Sequence, residues 1–316
     1  MAHLLENSND MAYFGETPWH RLGVQIEAPM SVNEALKFGA LDFEVTKVPM
    51  FLGNGDKVED NYAIVRSDNG RQLGVVGEKY TPLQNKEAFS FFDPFVTRKE
   101  ALFHTVGVIR GGRRIWLLAK LPGEIVVKGE DITQKYLLLS NSHDGTSGVQ
   151  IKFTPIRVVC NNTLQAALKD TSTTYKIRHT KNVHAAVQEA SKAMGIANQY
   201  YTELQDAFQT MQRREVTFTQ AASYIREVFE AEAASAAKGS TRAENILEEV
   251  YSLLEAGKGV DLPGVRGTMW GAYNAVTEYV DHHKGYRSDD SALENIAFGL
   301  VGGNLKQRAF DLALRA

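Results

Sequence analysis

The apolar residues of this chain change their period once, near residue 181, and that change limits the fold more than any other feature. Before it, apolar and polar residues alternate in short runs cut by glycine and proline, the pattern of half-buried strands and turns. Phe43, Val45, Lys47 and Pro49 begin one run. Ala63-Ile64-Val65-Arg66 and Leu73-Gly74-Val75-Val76 form a pair joined around Asp68-Asn69-Gly70. Phe103 to Ile109 turns at Gly111-Gly112 and returns as Ile115 to Leu121, the clearest hairpin. Tyr136 to Ser140 leads through Asp144-Gly145 into Val149 to Phe153, and Ile156 to Cys160 reads as a further strand. Between the first two hairpins, Thr81-Pro82-Leu83-Gln84 predicts a helix start, with a capping hydroxyl followed by proline.

Beyond residue 181 the pattern is helical. Val183, Val187, Ala190, Met194, Ala197, Tyr201, Leu204, Phe208 and Met211 keep a 4-3 spacing, which predicts one long amphipathic helix. More helices are expected near Thr219, from Thr241-Arg242-Ala243-Glu244 to Gly257, from Met269 to Lys284 behind Thr268, and after Ser291. The expected class is therefore α+β: an antiparallel sheet with hairpins over 1–181, then a helical region over 182–316.

Charge narrows the function classes. The chain has 316 residues, 43% hydrophobic and 23% charged, with a net charge of −3. Residues 98–181 nevertheless hold 14 Lys+Arg against 6 Asp+Glu, while the flanks are acidic. A sign reversal of this kind suits a polyanion, a neighbouring subunit or a small anion. No run of 18 apolar residues predicts a membrane span. The single cysteine, Cys160, cannot form an intramolecular disulfide; it fits a reducing cytoplasm and reads as a core residue. No glycine-rich phosphate loop is present, so nucleotide hydrolysis and dinucleotide chemistry have no support, and no cofactor is expected.

The candidate residues lie mostly in the basic stretch. Arg110, Arg113 and Arg114 crowd the glycine turn and cannot all be buried. Lys152, Arg157 and Arg178 continue the charge, and Tyr136, Phe153, Tyr175 and His179 offer ring faces for bases, the combination single-strand binders use. Asn161 and Asn162, at a strand end, and His143, in the turn Ser140 to Gly145, would shape the backbone path. That turn is also legible as a plain β-turn, or as a fragment of a metal or acid–base site. Glu278 and His282 lie four apart, as on one helical face, and with His143 and Asp144 make up the enzymatic alternative, a metal-dependent nuclease or phosphoesterase. No metal and no catalytic residue is assigned.

Several segments carry a family resemblance: Met11-Ala12-Tyr13, Thr17-Pro18-Trp19-His20 with Leu22-Gly23, Tyr80 to Asn85, Ser142-His143-Asp144-Gly145, Arg157 to Leu164, Arg178-His179-Thr180 and Gly267 to Tyr279. Together they resemble an uncharacterised family of phage- and plasmid-like proteins. The resemblance implies a mobile-element protein in a bacterial cytoplasm and brings no activity or catalytic residue with it. In outline, a basic hairpin sheet followed by helices is also similar to the single-strand annealing recombinases of phages. The expected function is single-stranded DNA binding in annealing, recombination or replication, by a homo-oligomeric ring or filament. Besides the enzyme, a protein-binding adaptor or anti-defence factor is the third alternative.

Overall fold

The computed structural model describes residues 11–15, 23–159, 162–163, 174–192, 196–285 and 303–315. The fold is α+β, with hairpin-rich sheets followed by helices. In chain order the strands are β1 (Met11–Phe14), β2 (Val24–Ile26), β3 (Val45–Phe51), β4 (Lys57–Arg66), β5 (Gln72–Gly77), β6 (Leu102–Ile109), β7 (Arg114–Lys128), β8 (Asp131–Ser142), β9 (Val149–Phe153), β10 (Ile156–Arg157), β11 (Asn162–Thr163) and β12 (Thr174–Ile177). The helices are α1 (Val32–Phe38), α2 (Asn85–Phe89), α3 (Asp93–Thr97), α4 (Val183–Lys192), α5 (Ile196–Arg213), α6 (Phe218–Val228), α7 (Glu230–Ala236), α8 (Thr241–Ala256), α9 (Met269–Glu278) and α10 (Gly303–Arg315).

The chain divides into two compact units that are not contiguous in sequence, where the sequence reading placed one boundary at 181. The first comprises 1–122, 136–153 and 174–196; the second takes 123–135, 154–173 and 197–316. The long strands β7 and β8 contribute to both.

In the first unit the strands lie in the order β12-β9-β8-β7-β6-β1-β2, and β3-β4-β5 form a separate antiparallel sheet. β6 and β7 pair from Leu102↔Lys120 to Ile109↔Arg114, the expected hairpin, and β8 and β9 pair from Leu137↔Phe153 to Ser140↔Gln150. Phe91, Phe92 and Phe95, next to α2, bury their rings with Phe103 of β6; Phe92 and Phe103 meet edge to face at 5.5 Å. The helix expected from Thr81 starts instead at Asn85. Its cap is Gln84, whose side chain both accepts from Val45 N and donates to Val45 O at 2.9 Å, holding 81–84 extended against β3.

In the second unit β10 pairs with the Asp131 end of β8, and β11 with β10. The helices bury a ring cluster of Phe208, Trp270, Tyr273 and Phe310; Phe208 and Trp270 lie 4.7 Å apart. Lys306 and Asp281, both buried, form an ion pair beside it. Of the helix expected over 183–211, the described residues are helical as α4, in the first unit, and as α5, in the second; 193–195 lie outside the described residues. The helix capped by Thr268 keeps α geometry only to Glu278, then widens to a π-helical turn at Tyr279–His283. Thr17 to His20, Cys160, Asn161, Leu164 and Ser291 lie outside the described residues.

Candidate nucleic-acid interface

Three turns of the first unit meet at one end of its sheets. They are the β4–β5 turn at Ser67 to Arg71, the β6–β7 turn at Arg110 to Arg113, and the β8–β9 turn at His143 to Gly148. Arg66 Nη1 donates to Gly111 O at 3.0 Å, His143 N to Arg113 O at 2.8 Å, and Arg114 Nη2 to Thr146 Oγ1 at 3.1 Å. The sequence permits the approach through glycine. A Cβ at Gly74 would lie 2.5 Å from Asp144 Cα, and one at Gly111 would fall inside the Arg71 guanidinium. The register Ile177↔Val149 sets Arg178 level with Gly148, so it joins the same end.

Six arginines therefore gather here: Arg66, Arg71, Arg110, Arg113, Arg114 and Arg178. Asp68 and Asp144 lie among them. Asp68 takes a forked pair from Arg66, at 2.9 and 2.6 Å, and the Arg66 guanidinium carbon also sits over the Phe43 ring, 3.8 Å from its centroid. Asp144 stands 3.9 Å from Arg114. Arg71, Arg110, Arg113 and Arg178 are exposed, and Arg113 and Arg178 carry no ion pair among the described residues. The chain turns sharply to present them: Arg110, Gly111 and Gly112 all have positive φ, at 53°, 64° and 100°. A left-handed arginine costs roughly 1–2 kcal/mol, and strain of this kind collects where a loop is shaped for use.

Beneath the arginines lies a buried polar layer. Asn85 Nδ2 donates to Leu41 O at 2.9 Å, which turns its Oδ1 toward His143 Nε2, 2.8 Å away. Nε2 thus carries the proton, and the buried Nδ1 is an acceptor with no hydrogen-bond partner among the described residues. Burial pushes the His143 pKa down to about 3, helped by the nearby His179 and Arg66 and opposed by Asp144. His179 stacks on Tyr80 at 4.6 Å, and Tyr80 Oη donates to Ser142 O at 3.1 Å. Burial would raise the Asp144 carboxyl. Hydrogen bonds from Ser142 and Thr146 and the Arg114 charge outweigh it and hold the pKa below the usual value. Gly145 takes φ 77° and Asp144 accepts from Thr146 N, so the turn itself is an ordinary one.

The remaining expected residues are placed as follows. Arg157 is withdrawn from any surface: it is fully buried, and its Nε and Nη2 fork onto Asp131 at 2.7 and 2.8 Å. Trp270 Nε1 donates to the same carboxylate at 2.7 Å, and Gly259 O accepts from Arg157. A guanidinium so fully engaged has no donor to offer a phosphate. His143 is likewise buried and supports the turn from below instead of touching a ligand. Lys152 is half-buried on β9, where burial and the neighbouring Lys176 lower its pKa to about 8. Asn162 lies in β11. Tyr136, Phe153 and His179 are buried, so they give no open face for stacking.

The enzymatic candidates do not form a set. Glu278 is buried and accepts Lys258 N on both oxygens, at 3.1 and 3.0 Å. The π turn also takes His282 off the face that α-helical spacing would have shared with Glu278. Among the described residues, no three His, Cys, Asp or Glu side chains lie together in a way that could hold a metal ion.

Sequence reasoning missed Arg66, Arg71 and Asp131. The arginines lie in an acidic segment, although they bracket an Asn-Gly turn as Arg110 and Arg113 bracket Gly-Gly. Asp131 bore no local signal at all. The motifs that carry the resemblance converge on two centres: Tyr80 to Asn85, Ser142 to Gly145 and Arg178-His179 in the first unit, Arg157 and Trp270 in the second. No curated protein and no solved structure matches the chain. Residues 72–297, more than two thirds of it, match the family described as a domain of unknown function (DUF932), and the chain belongs to that family.

Proposed function

We propose that the protein binds nucleic acid, single-stranded DNA in the first instance, by gripping the sugar–phosphate backbone with the arginines at the turn end of the first unit. The observation that carries this is the gathering of six arginines at one end of the sheets, of which Arg113 and Arg178 are exposed and carry no ion pair among the described residues. Arginine forks match phosphate oxygens, and such contacts fix a strand without reading its sequence. With Tyr136, Phe153 and His179 buried, Tyr175 on β12, part-exposed, is the one expected ring left for a base, and phosphate contacts carry most of the binding.

The test is a titration of dye-labelled oligonucleotide at several salt concentrations. Contacts by Arg113 and Arg178 give a log–log slope of roughly −1.4, from about −0.7 per neutralised phosphate, and each further arginine that engages steepens it by about the same amount. Arg113→Ala and Arg178→Ala each shallow the slope by about 0.7. No binding at low salt rejects the proposal. An annealing role further requires several copies on one strand, which sedimentation with and without oligonucleotide reads directly.

A further inference from the structure

The second unit carries a separate cleft of about 500 Å3, between the end of α5, the start of α6 and the loop before α9. Lys128, at the end of β7, and Gln212 of α5 both reach over Gly264. A Cβ there would lie 3.1 Å from Lys128 Nζ and 2.5 Å from Gln212 Nε2, and Gly264 itself has φ 80°. The bare glycine thus lets an ammonium and an amide draw together over one point; Gln212 Nε2 spends one hydrogen on Gly264 O, at 3.4 Å, and has a second to donate. Arg213 and Arg266 also line the cleft.

The charges there are unequal in availability. Arg266 is occupied by Glu255 and by Asp261, the latter at 2.7 Å. Lys128 and Arg213 are exposed and have no ion pair among the described residues; the Arg213 guanidinium reaches only Gln209 Oε1, at 3.5 Å. Among the described residues, Glu215 is the one acidic side chain in the lining. The first turn of α6 contributes little, because Thr217 and Gln220 satisfy one another's backbone amides. The side chains therefore set the character of the site. Its volume falls among small-molecule sites, about 300–1,000 Å3. Its walls are polar, so it suits a hydrophilic anion, and two cations beside an amide match the oxygens of a phosphoryl group.

We propose that this cleft binds the phosphoryl group of a small phosphorylated molecule, held between Lys128 and Arg213 with Gln212 as a neutral donor. The full chain is titrated calorimetrically with a nucleoside 5′-monophosphate, with inorganic phosphate as competitor and the uncharged nucleoside as control. Saturable binding at one site per chain is expected, displaced by inorganic phosphate and absent for the nucleoside. Lys128→Ala and Arg213→Ala each weaken it about tenfold or more, the worth of one charged hydrogen bond. Arg113→Ala, which weakens oligonucleotide binding in the first unit, leaves it unchanged, so the two sites fail separately. Both side chains in the cleft are exposed, and thermal unfolding confirms that the variants fold. Absence of binding by either anion, equal binding of the nucleoside, or affinity retained in the double variant overturns the assignment.

Discussion

At the scale of residues, burial decides what each charged group does. Arg157 and Asp131 are a buried pair whose fork and Trp270 bond leave no polar atom idle. Asp131→Ala strands a guanidinium in the core and is expected to cost about 3–5 kcal/mol, read as a shift in the urea midpoint. Replacing both partners with apolar residues of similar volume, Asp131→Leu with Arg157→Met, recovers part of that loss, the remainder being the buried Trp270 N–H left without its acceptor; a double variant as weak as the single one contradicts the account. The histidines give a pH dependence. His143 and His104 have folded pKa values pushed by burial to about 3 and about 4, and that of His179 is also lowered. Each titrates near 6.5 when unfolded, so the unfolded chain takes up protons that the folded chain refuses. Their contribution to stability is complete above about pH 6.5 and is lost as pH falls through the window down to 3–4. Urea midpoints measured from pH 7.5 to 4.5 should drop, and His104→Gln should flatten the drop by one proton. A midpoint constant over that range would count against buried neutral histidines.

At the scale of elements, local pattern was a good guide to type and a poor one to ends. The hairpins β4–β5, β6–β7 and β8–β9 were legible because alternation and turn glycines are short-range signals. The start of α2 was misjudged because Gln84 bonds to the backbone of β3, a partner 39 residues away. The contact between β5 and the β8–β9 turn is backbone on backbone, which makes Gly74 the element-scale probe. Gly74→Ala is expected to destabilise by roughly 1–3 kcal/mol and to weaken oligonucleotide binding as the turns part. Gly70→Ala, with φ 69° and open space around it, costs roughly 1 kcal/mol and leaves the packing of the turns intact. Urea midpoints that rank the two the other way sink the backbone-contact explanation.

At the scale of the whole molecule, the second unit is assembled from three separate stretches of chain. Residues 123–135 and 154–173 belong with the helices, and Asp131 and Arg157 are satisfied there by Trp270 and by Gly259 O. A chain ended after residue 181 would leave this pair without those partners and is expected to aggregate or to unfold without cooperativity. A sharp thermal transition from that fragment, followed by circular dichroism, would show that the helices are dispensable to it. By itself, the sequence determined the class of the fold, the hairpins and the arginine-bearing Gly-Gly turn, because period, turn residues and the cost of burying unpaired charge are local facts. Which arginines share a surface was decided only in three dimensions. Arg66, Arg71 and Arg178 come from distant segments to meet Arg110, Arg113 and Arg114, while Arg157, inside the same basic stretch, turns inward to a carboxylate 26 residues away. Charge counted along the chain says how much cation there is; tertiary packing, through the partners it supplies and the water it excludes, decides which of it remains free to bind.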